Sequence, residues 1–232
     1  MVIGKQSSAS SVADIVVVAA ISVLAFRGEL AVADHLPWGD EGRGVLAVLT
    51  GAAAAVAITL LRGGTLADLG FRAPRRLATV PLWALGILVV FVVAQNVVPL
   101  LLAPVFDLPQ PDMSRYDVIR GNPAAALLFA VVLPLTAAVP EEILYRGFLI
   151  ERFGNLFGGA KSAAVFAVLA QALVFGAVHF QWGPGGILAT SVMGAVWGFA
   201  YLLCGRNLWI VILAHSLAHI ALVAQIYSLP PP

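Results

Sequence analysis

Charge is scarce in this chain of 232 residues: Asp, Glu, Lys and Arg make up 11% of it, against 61% hydrophobic residues. Soluble domains ordinarily carry about a quarter charged residues, so a water-soluble core is excluded and residues 1–232 read as one polytopic membrane domain. Cysteine is scarcer still. The single Cys204 excludes an intramolecular disulfide and a cysteine-rich metal site, and within its apolar run it reads as a buried small hydrophobe. The basic residues, 13 against 12 acidic ones for a net charge of +1, are spread over connectors and form no patch interleaved with aromatics. Nucleic-acid binding is thereby excluded. There is no lipidation signal, no soluble domain and no internal repeat, and the last absence argues against a small transporter built from paired broken helices.

Long apolar runs are what the chain has instead. A spanning helix needs about 20 mostly apolar residues, and such runs lie at Val12–Phe26, Gly44–Leu61, Ala78–Ala103, Pro123–Ala138, Lys161–Phe180, Gly185–Cys204 and Leu208–Tyr227. Val139–Phe153 reads as a further, shorter helix. Turn formers at Gly63-Gly64, Pro109 to Pro111, Gly158-Gly159 and Gly183 to Gly186 mark where the chain leaves helix. The pattern predicts an all-α transmembrane bundle of seven or eight helices. The polar Met1 to Ser11 segment holds Lys5, and the apolar run after it shows no small-residue cleavage site before Arg27, so an uncleaved first helix is expected. The connector Arg62 to Arg76 carries Arg62, Arg72, Arg75 and Arg76, whereas Glu29 to Arg43, which includes His35, is net acidic. The positive-inside rule then places the former connector, and with it the N-terminus, in the cytoplasm.

Against this background the stretch from Val139 to Arg146 stands out, because it puts Glu141, Glu142 and Arg146 at bilayer depth, where charge is costly and marks function by default. Glu142 and Arg146 are four apart on a helix and can pair as a structural clasp, while Glu141 projects about 100° round the barrel with Tyr145 within reach. Glu141 has no local counter-ion in the sequence and is free to take a proton from water. His179, four residues after Phe175, is placed to hold that water. His215 and His219 share a helix face and can donate to a developing oxyanion. The set holds the parts for peptide hydrolysis without a covalent nucleophile. Geometry adds a condition. At about 1.5 Å per residue, a straight helix from Pro123 to Glu141 would leave that glutamate at the far end from His179, so a break at Pro140 is expected, with proline in the first turn of a new helix.

The order Glu141-Glu142-x-x-x-Arg146, Phe175-x-x-x-His179 and His215-x-x-x-His219 on consecutive apolar segments resembles the CPBP family of CAAX proteases and bacteriocin-processing (Abi) intramembrane proteases. The likeness covers residues 123–227, a catalytic core, and residues 1–122 add N-terminal transmembrane helices. It implies that Glu141 and His179 activate water, that Glu142 and Arg146 brace the site, and that His215 with residue 219 stabilises the oxyanion. His219 is a departure, since the best-known CAAX enzymes have asparagine there.

The expected activity is an endopeptidase acting near the cytoplasmic side of a bacterial plasma membrane, on a peptide or membrane-protein substrate, prenylated or not. The alternative is a non-catalytic membrane scaffold or bacteriocin self-immunity protein. Single residues also have plainer readings: His179 as a satisfied histidine beside Trp182, His219 as a bond between helices, Phe175 and Tyr145 as core or cavity lining. No cofactor is expected. A zinc site of Glu141, His179 and His215 stays open beside that expectation, but the helical metalloprotease pattern needs glutamate directly after the first histidine, where this chain has Ser216.

Overall fold

The computed structural model describes residues 7–32, 44–74, 76–158 and 161–230, so Lys5, His35, Arg75 and Gly159 lie outside the described residues. Helix accounts for 82% of the structure, and there is no strand among the described residues. The helices are α1 (Ser8–Val32), α2 (Val45–Leu61), α3 (Val80–Phe106), α4 (Pro123–Leu156), α5 (Lys161–Ala177), α6 (Gly183–Leu203) and α7 (Leu208–Tyr227). Short 3-10 turns at Leu77–Thr79, Ser114–Ile119 and Phe180–Trp182 join them. Five helical stretches, Ser8–Val32, Leu77–Phe106, Pro123–Leu156, Phe180–Leu203 and Leu208–Tyr227, are long and apolar enough to cross a membrane, and α2 and α5 are shorter apolar helices. Leu82, Leu100, Leu127 and Leu203 project outward from the bundle. Lipid is the solvent that suits such a surface, and the chain is an integral membrane protein.

α4 corrects the expected break at Pro140. It is continuous for 34 residues, and the backbone at Leu133, Pro134, Ala138, Val139 and Glu141 keeps right-handed helical dihedrals. Proline inside a helix lacks a donor and crowds the preceding turn. Here the helix widens to π turns at Pro134–Ala138 and Glu142–Leu149, which accommodate that local conflict without ending it. The separate helix Val139–Phe153 therefore does not exist. Glu141 and His179 still share a depth, for a different reason: α4 runs on to Leu156, so α5 starts well beyond Glu141 and returns to its level at Ala177.

α1 also exceeds its expected bounds and takes in Glu29, which is buried and accepts hydrogen bonds from the main-chain N–H groups of Gly44 (3.0 Å) and Leu46 (3.5 Å). Glu29 thus caps the start of α2 and does not belong to a solvated acidic connector. At the other end of α1 the buried Asp14 accepts from Arg62 at 2.7 Å and from Arg152 at 3.1 Å, tying α1, α2 and the end of α4 together. Cys204 follows the last residue of α6, half-buried.

Small residues bring α5 and α6 into close packing. A Cβ at Gly176 would meet the Ile187 carbonyl at 2.7 Å, and one at Gly194 would meet the Ala172 Cα at 2.9 Å. This contact fixes the end of α5, and hence His179, against α6. α3 packs on α6 and α7 instead, with Gln95 Nε2 donating to the Ala189 carbonyl at 2.9 Å.

Candidate active site

The wide turn of α4 at Glu142–Leu149 lies at the centre of the bundle, packed by α2, α5, α6 and α7. Glu142 and Arg146 are fully buried there, and Arg146 Nη1 stands 2.9 Å from Glu142 Oε1. The Arg146 guanidinium also lies over the Phe175 ring at 4.7 Å, and Tyr145 packs edge-on against that ring at 4.8 Å. Phe175 is thus the wall between α4 and α5. The Glu142–Arg146 clasp is present, and it is extended by a residue of another helix: His215 Nδ1 lies 2.8 Å from Glu142 Oε1.

His215 sits beneath the site and does not line it. Its ring is fully buried and stacks on Trp197 at 5.2 Å, and Trp197 in turn stacks on Phe91 at 5.0 Å. With its Nδ1 proton donated to the Glu142 carboxylate, the neutral ring presents a lone pair at Nε2. That nitrogen is 3.9 Å from Glu141 Oε2, beyond hydrogen-bonding range. Glu141 therefore has a neighbour that its local sequence does not supply.

A cavity of about 820 Å³ holds the remaining residues. Glu141, Tyr145, His179 and His219 all line it. His179 is held by its own helix end: Nδ1 donates to the Phe175 carbonyl at 2.6 Å, so Nε2 is the acceptor. The ring lies between Phe175 at 4.7 Å and Trp182 at 4.9 Å. His219 is one turn beyond His215, ring centroids 4.6 Å apart, and its Nδ1 makes no hydrogen bond among the described residues. Tyr145 lines the cavity, but no hydrogen bond joins its hydroxyl to Glu141 among the described residues.

Residues that the motifs do not mark complete the cavity. Arg115 and Tyr116 come from the 3-10 turn before α4, and Phe26, Val45 and Val48 from the facing ends of α1 and α2. Burial pushes the Tyr116 phenol above its ordinary value, with Arg115 opposing the shift and Glu141 adding to it, so Tyr116 is a neutral hydroxyl at the rim. The aromatic and basic side chains of this turn are the signal that could have drawn notice, although nothing in their spacing points to α4. Among the described residues no three His, Cys, Asp or Glu side chains form a cluster able to hold a metal ion. Of the Glu141, His179 and His215 set, His215 Nε2 lies 3.9 Å from Glu141 Oε2, while its Nδ1 is engaged by Glu142 and its ring is fully buried.

The cavity also has a direction within the bundle. It lies at the end where α1 finishes, α2 begins at Val45 and α5 stops at Ala177. The connector from Arg62 to Arg76 is at the opposite end, where the Gly70 carbonyl accepts from Leu208 N at 2.9 Å at the start of α7. An Arg62 to Arg76 connector in the cytoplasm and a reaction near the cytoplasmic side are thus incompatible expectations for this fold.

Residues 123–221 match the family model for type II CAAX prenyl endopeptidase, Rce1-like. That stretch, which opens with α4 and reaches into α7, matches the CAAX-protease family that the motif order resembles, and it contains Glu141, His179, His215 and His219. No curated protein and no solved structure matches the chain. The family supports a CAAX-type intramembrane protease in general terms, with a peptide substrate and a membrane setting.

Proposed function

We propose that this chain, Rce1-like over residues 123–221, is an intramembrane endopeptidase in which Glu141 and His179 activate water. The observation that carries the reading is the shared cavity. Two side chains from different helices, one carboxylate and one imidazole with a free lone pair, face a space large enough for an extended peptide. A water between them donates one proton toward Glu141 and the other toward His179 Nε2, which leaves its oxygen lone pair aimed at a carbonyl. Attack forms the new C–O bond while Glu141 takes the water proton. The carbonyl electrons move to oxygen, for which His219, an imidazole that lines the cavity, is the assigned donor. Collapse of the tetrahedral species breaks the C–N bond, and Glu141 returns the proton to the departing amine.

Glu142, Arg146 and His215 act as positioning residues in this scheme. Their buried network fixes the wide turn of α4 and so the direction of Glu141. Two carboxylates next to each other in sequence thereby take different tasks. No step of this scheme is routed through a metal ion.

The test is cleavage of a quenched fluorescent apolar peptide by purified protein in lipid vesicles, wild type against Glu141→Gln. The reading requires cleavage by the former and its loss in the latter with the fold retained. Equal cleavage by both removes Glu141 as the base. A scaffold or immunity role, the reading from a different class, requires the cellular function to survive Glu141→Gln.

A further inference from the structure

We propose that the cavity opens to the non-cytoplasmic face of the membrane, and that its substrate is a membrane-embedded polypeptide cut where an apolar span emerges on that face. This deepens the protease reading and rests on it for the word substrate, whereas the sidedness stands on charge and topology alone.

The two ends of the bundle differ in basic residues. One end gathers Arg62, Arg72 and Arg76 in the α2–α3 connector, Arg152 near the end of α4 and Arg206 in the α6–α7 turn. In sequence that connector also holds Arg75, and α5 starts at this end with Lys161. The other end carries Arg27, Arg115 and Arg120 among the described residues, with Arg43 in the connector after α1. One of its connections, the Phe180–Trp182 turn, contains no Lys or Arg. Lys and Arg bias in short connectors sets orientation, so the first end is cytoplasmic.

The site belongs to the second end. α5 spans about 25 Å from Lys161 at the arginine-rich end to Ala177, and His179 follows immediately. Phe26 meets Phe180 edge-on at 6.3 Å there, and Asp112 N donates to the Trp182 carbonyl at 3.3 Å. The cavity is walled on this side by Arg115, Tyr116, Gln181 and Trp182. Toward the arginine-rich end the bundle is closed by its most tightly packed part, with Phe148, Ile150 and Leu208 at 0–1% exposure beneath the site.

The cavity also meets lipid sideways. Val23 of α1 and Leu128 and Val132 of α4 line it and are 56%, 59% and 38% exposed, and α1 packs on α4 near its far end, at Ile150–Leu156, rather than at this level. Accessible apolar side chains on two helices that are not packed together at this level mark an opening between α1 and α4. A polypeptide already in the bilayer can reach Glu141 by that route with its apolar span against apolar walls, while its emerging segment lies at the polar rim.

Sidedness is read with single cysteines at Ser114 and Ala67, one at each end, in a Cys204→Ala background, using a membrane-impermeant maleimide on intact cells. Ser114→Cys is expected to label from outside and Ala67→Cys only after lysis, with both labelling in the lysate. Labelling of Ala67→Cys from outside, or of Ser114→Cys only after lysis, overturns the proposal. Substrate access is read with the quenched apolar peptide added to spheroplasts and to sealed inside-out vesicles, wild type against Glu141→Gln. Glu141-dependent cleavage confined to spheroplasts supports the proposal, and cleavage confined to inside-out vesicles overturns it. Absence of cleavage in both preparations and in detergent overturns the protease reading and the substrate assignment with it, and leaves the cysteine labelling to decide sidedness.

Discussion

His215 and Glu142, 73 positions apart in sequence, are joined at 2.8 Å between Nδ1 and Oε1, and the same imidazole turns its other nitrogen toward Glu141 at 3.9 Å. One ring of α7 thereby touches the clasp of α4 and stands behind the candidate base. The arrangement separates two kinds of defect. Loss of Glu141 removes a group that faces the cavity, whereas loss of Glu142 or Arg146 removes part of the frame around it.

Glu141→Gln is expected to lower the rate of peptide cleavage by on the order of 10²- to 10⁴-fold, the range for a positioned general base. Its unfolding temperature in detergent should stay near wild type, because Glu141 makes no direct hydrogen bond to a side chain among the described residues. A rate within threefold of wild type would require a different base.

Arg146→Ala should act on stability first. The guanidinium is fully buried between Glu142 and the Phe175 ring, and its removal leaves the Glu142 carboxylate with His215 alone. Removing one partner of a buried ion pair costs about 3–5 kcal/mol. Thermal unfolding in detergent reads this as a marked fall, and Arg146→Lys should recover only part of it, since a compact ammonium cannot lie flat on the ring. Unfolding temperatures equal to wild type would show that the clasp carries little.

Much of this site was legible in the chain because its parts obey local rules. Four-residue spacing on a helix brings Glu142 to Arg146, and His215 to His219, whatever the tertiary fold. The break at Pro140 was misjudged because proline ordinarily ends a helix, and the π turns that absorb Pro134 and Pro140 leave no signature in hydrophobic pattern. The Glu142–His215 bond, the capping of α2 by Glu29, and the contributions of Phe26 and Tyr116 to the cavity are long-range contacts. Periodicity within one segment has no means of indicating them. Gly194 and Gly198, four apart on α6, carried a readable signal for close packing on α5 that the site motifs overshadowed.

That packing gives a third expectation. In Gly176→Val the new side chain meets the Ile187 main-chain carbonyl, which cannot move without shifting α6. Overpacking of this sort costs about 1–3 kcal/mol, and the displaced end of α5 carries His179 with it. Cleavage should fall together with stability, while Gly154→Ala, where an added Cβ meets nothing within 4 Å, should leave both unchanged. Full activity in Gly176→Val would show that the site tolerates movement of α5.

His219 tests the oxyanion role at the position where the best-known CAAX enzymes have asparagine. Its ring lines the cavity and its Nδ1 is without a hydrogen bond among the described residues. His219→Asn keeps a donor and should retain most of the cleavage rate. His219→Leu keeps bulk but loses the donor and should cost on the order of 10²-fold in kcat, the scale for one oxyanion donor. If Leu and Asn behave alike, the residue is wall and not donor.

Metal removal gives the last test, and it bears on the mechanism rather than on the fold. A zinc site would draw on His215 through Nε2, which faces Glu141 at 3.9 Å while Nδ1 is held by Glu142, whereas the proposed scheme leaves His215 as a positioning residue. Water activation by Glu141 and His179 alone should therefore continue after exhaustive dialysis against a chelator, with cleavage unchanged and no recovery effect on adding back zinc. The measurement is elemental analysis of the dialysed protein beside its peptide-cleavage rate. Loss of cleavage on dialysis that one equivalent of zinc restores would overturn metal-free water activation by Glu141 and His179, and would make His215 Nε2 a ligand with Glu142 as its supporting carboxylate.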